Sequence, residues 1–218
     1  MSVPDPTEVV RNGYDLLDAT YRSWVRATAG VVRASFMTRV LGRVPSGSDV
    51  LEIGCGPGTD AAALAEGRRY TGIDLSGVQL RHARARVPEG TFLHGDVFDV
   101  RLPEDGFDAV VACYVFNHIP AGRMGELFDR ISSWLRPDGW LYASFGISDD
   151  PGSIEPRWLG TTAMYFSSLL PGDTDELLGA GGFSIDSAET ITEFEPLEGP
   201  SAFRWVMARL SPAAAGRP

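Results

Sequence analysis

The sequence has no lysine: all 19 of its basic residues are arginine. A phosphate-cradling P-loop needs a Gly-Lys-Ser/Thr sequence so that the lysine can reach the outer phosphates, and that class of nucleotide site is excluded. Cysteine is scarce as well. Cys55 and Cys113 make no disulfide framework, so a reducing, cytoplasmic setting is expected. Every apolar run falls far short of the roughly 18 residues of a spanning helix, so no membrane partner is expected. The N-terminal residues mix acids and bases and show no export signal. Histidine, cysteine and acids never cluster at metal-ligand spacing, and no metal is expected.

What is present in excess is acid. The net charge is -10, and residues 101–218 hold 17 acids against 8 arginines, whereas the first hundred residues are nearly balanced at 12 against 11. Such a surface repels phosphate backbones, which argues against a nucleic-acid partner. At 218 residues and 44% hydrophobic side chains, the chain has enough apolar mass for one medium domain with a real core. The missing lysine reads as compositional bias, and no function is drawn from it.

Along the chain, "DPTEVVRNGYDLLDATYRSWVRATAGVVRASFMTRVLGRV" carries apolar and aromatic residues at helical spacing over two helices. The pattern then changes. "DVLEIGC", "RYTGIDL", "GTFLHGD", "FDAVVACYV" and "GWLYASF" are short apolar runs bounded by Gly, Pro, Asp or Ser and separated by helix-length segments. Alternating strands and helices imply a parallel sheet with helices on both faces. The last section reads helix, strand, strand, which predicts an antiparallel hairpin at one edge.

The most punctuated stretch is "VLEIGCGPGTD", with glycine at 54, 56 and 58. A loop that leaves a strand and opens a helix turns backbone N–H groups outward, and residues without Cβ let a ligand approach. A dinucleotide site would place its third glycine at position 59, which is Thr59. Glu52 at the strand end is a poor neighbour for pyrophosphate and a good one for an amine-bearing ligand. Asp74 follows Gly54 by 20 residues at the tip of the next strand, where a carboxylate can accept both hydroxyls of a ribose.

In this order, "VLEIGCGPG", "GIDLSGVQLRHAR", "HGDVFD", "FDAVVACYVFNHI" and "LRPDGWLYASF" resemble the successive motifs of the class I S-adenosylmethionine-dependent methyltransferases, small-molecule type, over roughly residues 45 to 146. "PDG" stands where "PGG" is usual, which touches only a turn. The resemblance implies an α/β fold: a Rossmann-like, doubly wound, mostly parallel seven-stranded sheet with an antiparallel edge hairpin and an N-terminal helical cap. One domain over 1–218 is expected, divided into a helical cap (1–45), a cofactor-binding core (46–146), a substrate-covering insert (147–172), a C-terminal helix and hairpin (173–210) and a flexible tail (211–218). The implied cofactor is S-adenosyl-L-methionine, with S-adenosyl-L-homocysteine as its product.

The expected cofactor residues are Glu52, Gly54, Cys55, Gly56, Gly58, Asp74, Leu75, Gln79, Asp96, Val97 and Cys113, joined by Tyr14 and Tyr21 from the cap. Asp96 can accept the adenine amino hydrogen while the Val97 N–H serves a ring nitrogen. Tyr114 and Asn117 after the fourth strand, with Trp158, Met164, Tyr165 and Phe166 of the insert, are expected to line the substrate. His118 is the candidate general base, against the reading that it packs or caps a helix. Ala112, Cys113 and Tyr114 provide no magnesium ligands of the kind catechol methyltransferases need, and the Pro-Pro signature of DNA amino-methyltransferases is absent.

The expected function is methyl transfer to an oxygen, nitrogen or carbon of a small molecule, in bacterial specialised metabolism as far as resemblance and composition reach, by a monomer or homodimer. Two alternatives stand beside it: methylation of a peptide or protein amine, and binding of S-adenosylmethionine without methyl transfer.

Overall fold

Glycine, proline and aspartate cut the middle of the chain into short apolar runs, and these become the strands of the sheet. In the computed structural model, which describes residues 4–28, 30–195 and 199–212, two helices come first: α1 (Pro6–Thr28) and α2 (Val31–Arg43). The alternating section follows as β1 (Asp49–Ile53), α3 (Ala61–Ala65), β2 (Arg69–Asp74), α4 (Gly77–Arg86), β3 (Thr91–His94), β4 (Phe107–Ala112), α5 (Met124–Trp134) and β5 (Leu135–Gly146). Then come β6 (Ser153–Trp158), β7 (Thr162–Phe166), α6 (Pro171–Ala180), β8 (Phe183–Glu195) and β9 (Gly199–Leu210).

Seven strands form one sheet in the order β3-β2-β1-β4-β5-β9-β8. The first five are parallel, and β9 joins β5 antiparallel, closing the edge with the β8–β9 hairpin. This is the Rossmann-like, doubly wound and mostly parallel sheet with an antiparallel edge hairpin expected from the motifs. The strand order reverses between β1 and β4, which opens a crevice beyond their carboxyl ends.

Period two sorts each strand between two cores. Leu51, Ile53, Val110, Ala112, Leu141 and Ala143 face the α5 and α6 side, against Leu127, Phe128, Ile131 and Leu178. Val50, Ala109, Val111 and Tyr142 face α2 and α3, against Phe36, Met37, Val40 and Leu64. Glu52 shares the parity of Val50 and is therefore driven into the second core.

The insert is more ordered than a plain cover. Its residues build the separate antiparallel hairpin β6–β7, and this hairpin holds α1 through a third cluster of Val10, Leu17, Trp158, Leu159, Met164 and Tyr165. Gly13 is required at that contact, because a Cβ there would lie 2.6 Å from the Met164 Cε and 3.0 Å from a backbone carbonyl. The helix breaks at Asp18, whose φ of 5° and ψ of -89° are non-helical. Of the expected tail, residues 213–218 lie outside the described residues. Among the described residues, no helix is long and apolar enough to cross a membrane.

Tyr142 is fully buried and its hydroxyl has no hydrogen-bond partner. Tyr142→Phe removes the desolvation cost of that hydroxyl, of about 1 kcal/mol. The expected rise in melting temperature is about 2–4 °C by calorimetry; a fall would show that the hydroxyl supports the fold.

Candidate cofactor and substrate site

The loop from β1 to α3 crosses the crevice with three glycines in the left-handed region, Gly54 at φ 64°, Gly56 at 52° and Gly58 at 75°. Their surroundings differ. A Cβ on Gly54 would collide with the Val115 side chain, and one on Gly58 would press on the Ala83 backbone at 3.1 Å. A Cβ on Gly56 would meet no protein atom within 4 Å. Gly56 therefore bounds open space, and its N–H donates to Asp74 Oδ2 at 2.7 Å. Asp74 Oδ1 accepts from the Ser76 N–H at 2.8 Å. Burial pushes this carboxyl up to about 6, with the Ser76 and Gly56 amides opposing the shift.

A cavity runs over this loop. Of the expected cofactor residues, Tyr14, Tyr21, Gly54, Cys55, Gly56, Asp74, Leu75, Gln79, Asp96, Val97 and Cys113 line it. Gln79 donates from Nε2 to the Tyr14 carbonyl at 3.1 Å, and its buried Oε1 has no partner. Asp96 Oδ1 accepts from the Phe98 N–H, so the acid also holds its own turn. Burial pushes the Cys55 and Cys113 thiols far above their ordinary range, which leaves both as small apolar fillers.

Two of the expected cofactor residues sit elsewhere. Glu52 lies beneath the cavity, where it accepts from the Tyr70 hydroxyl, and burial followed by the Asp60 charge pushes it up to about 8. Strand parity turned it inward. Gly58 gives α4 room to approach and does not line the cavity.

A second cavity of about 470 Å³, a size suited to a small molecule, shares a wall with the first made by Tyr14, Tyr21, Arg33, Tyr114 and His118. Of the residues expected to line the substrate, Tyr114, Asn117, Trp158 and Phe166 lie on the wall of this cavity. Met164 and Tyr165 do not: Met164 is fully buried under α1, and Tyr165 turns its carbonyl to the site. Along β7, period two turns the Tyr165 side chain to the face opposite Phe166, whereas Met164 shares the face of Phe166 and is taken up by α1 at Gly13.

His118 sits at the common wall. Its Nδ1 lies 2.8 Å from the Tyr165 carbonyl oxygen, which only accepts, so Nδ1 carries the proton and the Nε2 lone pair receives the Tyr14 hydroxyl at 2.8 Å. Burial depresses the ring to about 4, opposed by the Tyr165 hydrogen bond, so it is neutral at physiological pH.

Arg33 escaped the sequence reading. It donates from Nε and Nη2 to Asp60 Oδ2 at 2.9 and 2.7 Å, and its guanidinium lies 5.6 Å from the Tyr114 ring centre. Burial works against its charge, and Asp60 more than offsets this. The available signal was its place on the stripe of Phe36, Met37 and Val40, where a basic residue is out of pattern. Glu193 of β8 was missed too. It accepts from the Tyr114 hydroxyl at 2.9 Å and from Trp205 Nε1 at 3.3 Å, and "ITEFE" carries no local mark of a site.

Comparison with known proteins agrees with this geometry. Residues 50–139 match the family model described as a methyltransferase domain. A relative in Mycolicibacterium smegmatis, described as a probable S-adenosylmethionine-dependent methyltransferase, is 33% identical over 146 residues, covering 65% of this chain and 54% of the relative. The chain spans about half the length of the curated relatives it matches. The Burkholderia thailandensis 1,6-didemethyltoxoflavin-N1-methyltransferase, solved with its substrate and S-adenosylhomocysteine, superposes at a TM-score of 0.70 with 23% identity over 97% of this chain and 92% of that one. The cyclase SpnF superposes at 0.74 with 18% identity over 97% and 98%. Both likenesses are of fold.

The glycine contacts separate structure from function. Gly56→Ala adds only left-handed strain of about 1–2 kcal/mol, whereas Gly58→Ala adds the clash with Ala83. Thermal denaturation should place Gly58→Ala clearly below Gly56→Ala; equal losses would show that the space above Gly56 is filled by protein.

Proposed function

We propose that this chain, a member of the class I S-adenosylmethionine-dependent methyltransferases, moves the cofactor's methyl group to a small molecule held in the second cavity. The observation that supports this most directly is the common wall: Tyr14, Tyr21, Arg33, Tyr114 and His118 separate a glycine-floored cavity from an aromatic one.

The residues of the first cavity fit the cofactor. Asp74 has a second lone pair on each oxygen for the ribose hydroxyls, and the orphaned Gln79 Oε1 is a further acceptor for the nucleoside. Asp96 and the Val97 N–H face the adenine. Open space over Gly56 admits the amino-acid tail, and Arg33 Nη1 is available for its carboxylate.

Bound S-adenosylmethionine supplies a methyl on a sulfonium sulfur, which keeps the bonding electron pair when the nucleophile takes the carbon. The protein's own part is alignment, exclusion of water and removal of one proton. The Tyr14 hydroxyl on His118 Nε2 occupies the place that an acceptor O–H or N–H would take. As the new bond forms, that proton passes to Nε2, whose imidazolium is held by the Tyr165 carbonyl. Burial keeps the ring unprotonated at physiological pH, and the bond to the Tyr165 carbonyl offsets part of the cost of charging it. The same fold serves a cyclase, so transfer itself is decided by appearance of S-adenosylhomocysteine and a methylated product, by mass spectrometry, when acceptor is added. Cofactor consumption without a methylated product would contradict the proposal.

Two expectations follow from the titrating groups. Asp74 accepts hydrogen bonds best as a carboxylate, so affinity for S-adenosylhomocysteine should fall as pH drops through about 6. Asp74→Asn should bind weakly and without that dependence by calorimetry; an unchanged pH slope would remove Asp74 from the ribose site. Because His118 is held near 4, kcat measured with cofactor and acceptor both saturating, where the Asp74 binding effect is removed, should show no acid limb at the ordinary histidine value. His118→Ala should lower kcat by about a hundred-fold or more, and full turnover would make His118 structural.

A further inference from the structure

We propose that the acceptor molecule carries a cationic amine anchored by Glu193, and a second N–H or O–H donor received by Asn117. This names the substrate class of the second cavity and rests on reading that cavity as the acceptor's place.

Several donors in and beside the wall of the cavity are already engaged, while acceptors next to them stay open. The Tyr114 hydroxyl and Trp205 Nε1 both donate to Glu193, the Tyr14 hydroxyl donates to His118, and the Ser167 hydroxyl to the Ile119 carbonyl. Ser153 gives its hydroxyl to Asp150 at 2.6 Å. Against these stand open acceptors. Asn117 is buried to about nine-tenths and lines the cavity; its Nδ2 lies 3.4 Å from His118 Nε2, and its Oδ1 has no partner. A buried carbonyl oxygen without a donor costs stability unless a ligand supplies one.

Charge points the same way. Glu193 and Glu155 both line the cavity, and neither enters an ion pair among the described residues. Among the described residues, the one basic side chain on the wall, Arg33, is paired with Asp60. The described residues of the cavity therefore leave negative charge uncompensated, which disfavours a carboxylate substrate and favours an ammonium. Tyr21, Trp158, Tyr114 and Phe203 present ring faces or edges around it, surfaces that suit a cation with an apolar body.

Glu193 is fixed rather than adaptable. Tyr114 stands at the β4 tip in the left-handed region, at φ 58°, and its ring is boxed by Phe203 and Trp205, so its hydroxyl holds the carboxylate in a fixed position beside the shared wall. The anchor thus faces the second cavity from a fixed place. It also offsets the repulsion between the ammonium and the approaching sulfonium.

The test uses the whole protein saturated with S-adenosylhomocysteine, whose binding is measured first. Tryptamine, phenethylamine and hexylamine are then titrated by calorimetry, each beside the alcohol and the carboxylic acid of the same skeleton. The amines should bind more tightly than either counterpart by about ten-fold or more. Glu193→Gln, which keeps an acceptor for Tyr114 and Trp205, should abolish that preference while the melting temperature and S-adenosylhomocysteine affinity stay unchanged. Equal or tighter binding of the alcohols or acids, no amine bound at millimolar concentration, or a preference kept in Glu193→Gln would overturn the proposal. Failure of the wild type to bind S-adenosylhomocysteine would overturn the reading of the site and this inference with it.

Discussion

The hydrogen bond from the Gly56 amide to the Asp74 carboxylate is the contact on which the site depends. It ties the loop after β1 to the tip of β2, across two parallel strands paired from Asp49 with Arg69 to Ile53 with Ile73. Only a residue without a side chain can hold φ 52° cheaply and leave the space above it open. The acid pays with a raised proton affinity for standing in a dry place, and gains a fixed orientation from two backbone donors. Parallel strands bring all such tips to one edge of the sheet, so a single short loop can organise residues from β1, β2, β3 and β4.

Above that edge, the cap and the β6–β7 hairpin stabilise each other. Tyr14, Tyr21 and Trp24 of α1 meet Trp158 edge-on or tilted at 5.7 to 6.2 Å, and Gly13 lets the helix settle onto β7. The same rings line the cavities, so packing of the cover and shape of the site are one problem with one solution. Asp15 fastens the helix below by accepting from the Ser76 hydroxyl, beside the cap that Ser76 provides for α4. Enclosure of this kind strengthens every charge interaction inside it.

The common wall shows how burial sets chemistry. His118 is neutral because burial disfavours its charged form, Arg33 stays charged because Asp60 accompanies it, and the two cysteines keep their protons because burial outweighs the help that Arg33 gives a thiolate at Cys113 and Tyr70 at Cys55. Neighbouring groups are thus held in different charge states by their surroundings and not by their type.

The motifs from "VLEIGCGPG" to "LRPDGWLYASF" revealed the sheet, its parallel core and the positions of Asp74, Asp96 and the glycine loop, because strand ends and left-handed turns are written in adjacent residues. Period two also determined that Glu52 faces the same way as Val50, although the motif alone drew it toward the ligand. What tertiary structure decided are the meetings of remote residues: Tyr14 with His118, Arg33 with Asp60, Tyr114 with Glu193, and Met164 turned under Gly13 instead of into the site. Local sequence states which face of an element is apolar. Which two faces meet, and which polar atoms are left without partners between them, follows only when every element competes for the same buried volume.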